Sequence, residues 1–174
     1  MPSIARSLLG PILGLVLAGV GSAAAQSPPP VDRWVYKQED GLDQAGVLHE
    51  EDHDRQALVL VPANGRWYLL LSHANAGRVT SVYAKGGSVR ERDVAFRSLA
   101  FGDLPDRLRS AIGDEGAGRL VPMVLGGARE VAKLKQAEFA LVSFRNTLYQ
   151  SPQVTEFPLT GSLRAISRVE RAIR

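Results

Sequence analysis

The sequence predicts a mainly β or α+β domain: an antiparallel sheet or β-sandwich with two short helices and a C-terminal helix. Three observations carry this. Residues 57–62 and 66–72 are apolar runs flanking Asn64-Gly65, a preferred pair for a two-residue type I′ hairpin turn. Residues 139–145 and 154–159 form a second pair of strand-like runs, joined through 146–153 with Pro152 in the loop. From Ser162 onward, Ile166, Val169 and Ile173 recur at helical spacing with Ala165 and Ala172 beside them. Paired strands closed by an amphipathic helix are the pattern of a sheet covered by helices.

The elements follow in order. Residues 1–25 read as a secretory signal: Arg6 gives a positive start, residues 8–20 an apolar core, and Ala23-Ala24-Ala25 a small-residue cleavage site. The apolar core is interrupted by Gly10-Pro11 and falls short of the roughly 20 residues that span a bilayer. Cleavage before Gln26 is expected to leave 149 of the 174 residues as a periplasmic or secreted chain with no transmembrane segment. A Pro-rich, disordered leader is expected over 26–32, and a single globular domain over 33–174.

Residues 34–37 read as a strand, with Trp34 and Tyr36 alternating with Val35 and Lys37. Residues 38–56 are dense in acidic side chains, with glutamines, glycines and two histidines, and predict a solvated loop. In the hairpin that follows, a two-residue loop pairs Ala63 with Arg66, Val61 with Tyr68, Leu60 with Leu69 and Val59 with Leu70. Val59, Val61, Tyr68 and Leu70 then share one face; Leu58, Leu60, Trp67, Leu69 and Leu71 share the other. Both faces are apolar, so the hairpin belongs at the centre, covered on both sides.

Residues 78–84 predict a third strand ended by Lys85-Gly86-Gly87, and 88–96 a fourth with a charged middle. Residues 103–113 predict a short helix: Asp103 as cap, Pro105 in the first turn, Leu104, Leu108 and Ile112 on one face, and Gly113 as stop. The apolar segment 119–125 is expected to be helical and to end at Gly126-Gly127, and 128–135 to be a strand.

Charge and composition narrow the function. The chain has 21 Lys and Arg against 18 Asp and Glu; with Arg6 lost in the signal, a net charge of only +2 remains. The charges are mixed along the chain rather than gathered into a basic face, which argues against a nucleic-acid partner. The absence of cysteine excludes disulfides, lipidation at a lipobox, thiol nucleophiles and cysteine metal sites.

His49-Glu50-Glu51-Asp52-His53 matches H-E-x-x-H, where two imidazoles one helical turn apart hold zinc and the glutamate polarises its water. The motif sits in an acidic stretch just ahead of an expected strand, so a solvated loop is the preferred reading. Metal held by His49 and His53, in a zinc-dependent hydrolase, is the alternative. No serine lies in a G-x-S-x-G elbow or a Ser-x-x-Lys pair, and no phosphate-binding glycine pattern occurs. The expectation is a non-catalytic protein without a cofactor. Arg164, Arg168 and Arg171 recur along one side of the terminal helix and are the candidate partner-binding stripe, suited to an anionic lipid or an acidic protein face. Trp34, Trp67 and Tyr68 suit a core better than the pocket of a small-ligand carrier.

Residues 119–127 ending in Gly126-Gly127, a strand, and then Glu156-Phe157-Pro158-Leu159-Thr160-Gly161-Ser162-Leu163-Arg164-Ala165-Ile166 resemble the closing section of the invasion-associated locus B family. Those small exported proteins of alphaproteobacteria end in a strand with an "sLxGfxxAl" pattern leading to a helix. The signal segment and Trp34 near the start of the domain are compatible with the same family. The resemblance implies a β-sandwich-like periplasmic domain associated with the cell envelope, with no catalytic residues to transfer. The expected function is non-catalytic binding of an envelope protein or anionic glycolipid.

Overall fold

A computed structural model describes residues 30–51 and 54–174. The expected signal segment, most of the leader, and His53 lie outside the described residues. The fold is two antiparallel sheets with three helices, the last C-terminal.

The first sheet begins as a meander. Strands β1 (Val35–Glu39), β2 (Leu42–Glu51), β3 (Asp54–Ala63) and β4 (Arg66–Ser72) pair in sequence order. The chain then leaves this sheet. β5 (Ala76–Gly86) and β6 (Val89–Asp93) build the second one, and β7 (Phe96–Ser98) returns to the first as an edge strand. After α1 (Asp106–Ala117), β8 (Leu120–Leu125) inserts between β4 and β7, giving the order β1-β2-β3-β4-β8-β7. Helix α2 (Ala128–Gln136) leads to β9 (Phe139–Asn146) and β10 (Pro152–Pro158), and the second sheet reads β10-β9-β5-β6. Helix α3 (Ser162–Ala172) closes the chain.

The central hairpin has the expected register, with Ala63 opposite Arg66 and Leu60 opposite Leu69. Asn64 and Gly65 take φ of 49° and 70°, as a type I′ turn requires. Its two faces enter two cores. Leu58, Leu60, Leu69 and Leu71 pack between the sheets with Val82, Val142, Phe144 and Phe157, and with Val131 and Leu134 of α2 and Ile166 and Val169 of α3. Val59, Val61, Tyr68 and Leu70 pack on the opposite face beneath Leu104, Leu108 and Ile112. The sheet is therefore covered on both sides.

Several expectations are corrected. The acidic stretch 38–56 is not a loop: most of it is β2 and the start of β3. Its turn-forming residues gather at Asp40-Gly41, with φ of 50° and 70°, while Ala45 and Val47 enter one core and Leu42 and Leu48 the other. Residues 119–125 are a strand, not a helix, because a six-residue apolar run carries no period that separates the two. Pro122 is tolerated there because its carbonyl accepts from Leu99 N at 3.0 Å, so its ring nitrogen faces the same edge, past the ladder that β7 makes with 123–125.

Residues 128–135 are helical rather than extended, since Val131 and Leu134 are one turn apart and both buried. Gly127, at φ 122°, opens that helix instead of ending a preceding one. Asp103 does not cap α1. It closes the 3₁₀ turn Phe101–Asp103, accepting from Ala100 N at 3.1 Å, and Pro105 takes the cap position. Gly113 breaks the helical path at φ 71°, and the helix resumes to Ala117.

Candidate functional site

On α3, Arg164, Arg168 and Arg171 are all exposed, as the spacing predicts. The helix is held by Ala165, Ile166 and Val169, whereas Ile173, expected on the buried face, is half exposed because the helix runs past the sheet. The stripe is partly committed. The Arg168 guanidinium lies 4.5 Å over the Tyr36 ring, and the Tyr36 hydroxyl donates to Asp43 at 2.6 Å. That hydrogen bond to a carboxylate raises the Tyr36 pKa above its ordinary value. Arg171 donates to Ser167 O at 3.3 Å, and the intervening Glu170 pairs with Lys135 at 2.7 Å.

His49 and Glu50 are neighbours in β2 and so project to opposite sides of a strand, where the zinc motif needs a helix. Glu50 is opposite Arg55 and pairs with it at 3.5 Å. The His49 ring has Nδ1 2.6 Å from an Asp32 oxygen, Nε2 3.9 Å from a Glu51 oxygen, and an edge-on contact with Phe157. With the Asp32 N–H donating to Leu48 O at 2.8 Å, this side-chain contact fastens residue 32 along the part of β2 that β1 leaves uncovered. Among the described residues, no group of three or more His, Asp or Glu is placed to hold a metal ion. Trp34 is core, its indole donating to Pro158 O at 3.1 Å; Tyr68 is buried and Trp67 packs at the margin.

A different surface comes together in space. Where the chain passes from β6 to β7 it switches sheets, pinned by Val94 N to Val82 O and Gly126 N to Ala95 O, both at 2.9 Å. Glu130 of α2 reinforces the crossing by accepting from Ala95 N at 2.7 Å and Lys133 at 2.6 Å. Burial pushes the Glu130 carboxyl upward, but these two donors outweigh it and hold the group ionised below its ordinary value. From the crossing, β5 and β7 diverge. The β6 ladder covers Tyr83 to Gly86 and Val94 N takes Val82 O, so residues 78–81 of β5 present an open edge, and β7 is itself an edge strand.

Between these edges lies a groove of about 960 Å³. It is lined by Arg78, Arg97 and Arg145, with Thr80, Ser81 and Ser98 as hydroxyls and Asp93 as an acid. The three arginines are exposed, and among the described residues none has a carboxylate partner. Asp93 is occupied by the Tyr83 hydroxyl, whose pKa that hydrogen bond raises. The groove is therefore cationic, and open strand edges add backbone donors and acceptors. No sequence motif unites residues 78, 97 and 145; β5–β9 pairing joins Arg78 to Arg145, and the sheet switch adds Arg97.

At the end of the groove, the turn between β9 and β10 carries Leu148 and Tyr149, 64% and 77% exposed. Its frame is tightly built. Asn146, 5% exposed, accepts from Leu148 N at 2.8 Å and Tyr149 N at 3.2 Å, and donates to Gln153 at 2.8 Å. Thr147 N donates to Asn75 O, and Gln150 N to Asn146 O, both at 2.9 Å. A Cβ on Gly77 would meet Arg145 O at 3.0 Å and Thr147 Cγ2 at 3.1 Å, so any larger residue would have to push the turn back by a few tenths of an ångström.

No protein-family model matches the chain, and comparison with curated proteins returns no match. Among solved structures, the chain is similar to the crystal structure of invasion associated protein B from Bartonella henselae. The TM-score is 0.52 with 16% sequence identity, covering 82% of this chain and 95% of that one. At that identity the likeness is one of fold.

Proposed function

We propose that this chain is an exported, non-catalytic domain of the cell envelope that binds an anionic component through the groove between its two sheets. One observation carries the reading: Arg78, Arg97 and Arg145 converge on a single groove against one carboxylate, Asp93, and among the described residues none of the three forms an ion pair. Surface arginines generally sit among mixed charges, and an unpaired cluster with hydroxyls alongside suits carboxylate or phosphate oxygens. The fold likeness to an invasion-associated protein is compatible with an envelope setting, and the expected signal peptide would supply the export.

The test is equilibrium binding of glycerol phosphate and of a short glutamate-rich peptide, as soluble anionic probes. Arg78→Gln/Arg97→Gln/Arg145→Gln should reduce binding about tenfold or more, the loss shrinking as salt rises. Arg164→Gln/Arg171→Gln should bind like wild type. If only the α3 pair matters, the partner surface is the helix stripe and the groove reading is wrong.

A further inference from the structure

We propose that the β9–β10 turn is a membrane-insertion tip, with Leu148 and Tyr149 entering the interface of an anionic bilayer while Arg145 and Arg78 meet lipid phosphates. The inference rests on the groove being an anion-binding site and names the surface that fills it.

Three features point to lipid. First, the turn is held rigid by the buried Asn146 side chain, so its framework fixes two adjacent apolar side chains in water. Of the six large apolar residues that are exposed among the described ones, Leu148 and Tyr149 adjoin each other, and Val154 stands on the face of β10 next to Arg145. Secondly, cations flank this apolar end: Arg145 directly precedes the turn, and Arg78 lies on the neighbouring strand lining the same groove. An aliphatic and a tyrosine tip backed by unpaired arginines is the arrangement that suits an interface of acyl chains below and phosphates above. Thirdly, the tip is small. A stable protein partner needs roughly 800 Å² of matched surface on each side, whereas interfacial insertion needs only a few side chains assisted by charge.

The α3 stripe is the rival surface and is less suited. Its exposed Leu163 and Ile173 stand ten positions apart at opposite ends of the helix, and Arg168 is stacked on Tyr36.

The experiment is co-sedimentation with vesicles of phosphatidylglycerol and phosphatidylethanolamine, against pure phosphatidylcholine, across a salt series. Wild type should partition to the anionic vesicles and hardly to the zwitterionic ones. Leu148→Ser/Tyr149→Ser should lower the partition about tenfold, since both apolar side chains are lost from the interface. Its thermal midpoint should match wild type, because both residues already face water. Arg78→Gln/Arg145→Gln should lower partition strongly at low salt and little at high salt.

The chain has no cysteine, so Tyr149→Cys can carry a single environment-sensitive fluorophore, with Ser110→Cys on α1 as a remote control. A blue shift with anionic vesicles at position 149 and none at 110 is expected. If the serine variant sediments as wild type while the arginine variant does not, the tip does not insert and the groove reading survives. If wild type ignores vesicles yet binds the glutamate-rich peptide, the partner is an acidic protein and the lipid assignment is overturned. If neither soluble probe nor vesicle binds, both readings fall.

Discussion

At the scale of single residues, two side chains that draw attention as functional groups make contacts that tie the fold together. His49 fastens Asp32 to β2, and Trp34 ties the start of the domain to its end through Pro158 O and, by its backbone N–H, Thr160 O. Gly161, within the segment that resembles the locus B pattern, takes φ 83° and lies against Trp34 O, where a Cβ would approach to 3.1 Å. The pattern is therefore a device for turning a strand into a helix beneath a buried tryptophan. His73 offers a pH test. It is 4% exposed, its Nδ1 accepts from Asn75 N at 3.0 Å, and burial lowers its pKa below the ordinary 6.5, with Asp54 opposing weakly. The unfolded chain takes up a proton here that the folded chain refuses. His73 thus contributes stability that is full above pH 6.5 and lost as pH falls toward its lowered native value. The thermal midpoint should drop between about pH 7.5 and about pH 5.5, and the drop should be shallower in His73→Gln. Equal slopes in the two proteins would show that this ring is not responsible.

At the scale of elements, turn chemistry was legible and short apolar runs were not. Asn64-Gly65 fixes the register of β3 against β4 because only that spacing satisfies a type I′ turn. Asp40-Gly41 carries the same signal for β1 and β2, yet the density of acids around it conceals the strands. Those acids are largely at the ends of β2, where water reaches them, and the few apolar residues between are enough to bury it. The interchange of strand and helix over 119–136 has another cause: six apolar residues and one glycine pair fit either state, and packing between β4 and β7 decides. The energetic hinge of this region is Glu130, which connects α2 to the crossing at Ala95. Glu130→Ala leaves the Ala95 N–H and the Lys133 ammonium without their acceptor, and should cost about 1–3 kcal/mol. Urea denaturation reads this directly, and an unchanged midpoint would mean that the crossing is held by its backbone bonds alone.

For the whole molecule, two sheets share one core and the larger sheet is sealed on its far face by α1, so both faces of the central hairpin are buried. No helix among the described residues is long and apolar enough to cross a membrane. The binding proposed above is peripheral, through the groove and its tip. Export is the premise of that setting. Protein recovered from the periplasmic fraction should begin at Gln26 on N-terminal sequencing, and an uncut, membrane-retained form would contradict the envelope role.

The sequence by itself determined what depends on near neighbours: the hairpin around Asn64-Gly65, the two-faced apolar run that demands a central position, and the amphipathic terminal helix. These follow from turn dihedrals and from periods of 2 and 3.6, which a short window contains. Pro152, expected in the loop of the second hairpin, is instead the first residue of β10, opposite Arg145. Tertiary structure alone decided which sheet each strand joins, whether 119–125 extends or coils, and which arginines remain unpaired. Arg164, Arg168 and Arg171 share a helix and so are visible as a stripe, but Tyr36 engages Arg168 and the Ser167 carbonyl accepts from Arg171. Arg78, Arg97 and Arg145 are remote in sequence: β5–β9 pairing brings Arg78 to Arg145, and the change of sheets at Ala95 brings Arg97 to both. Charge pairing is a property of three-dimensional neighbours, which no local pattern encodes.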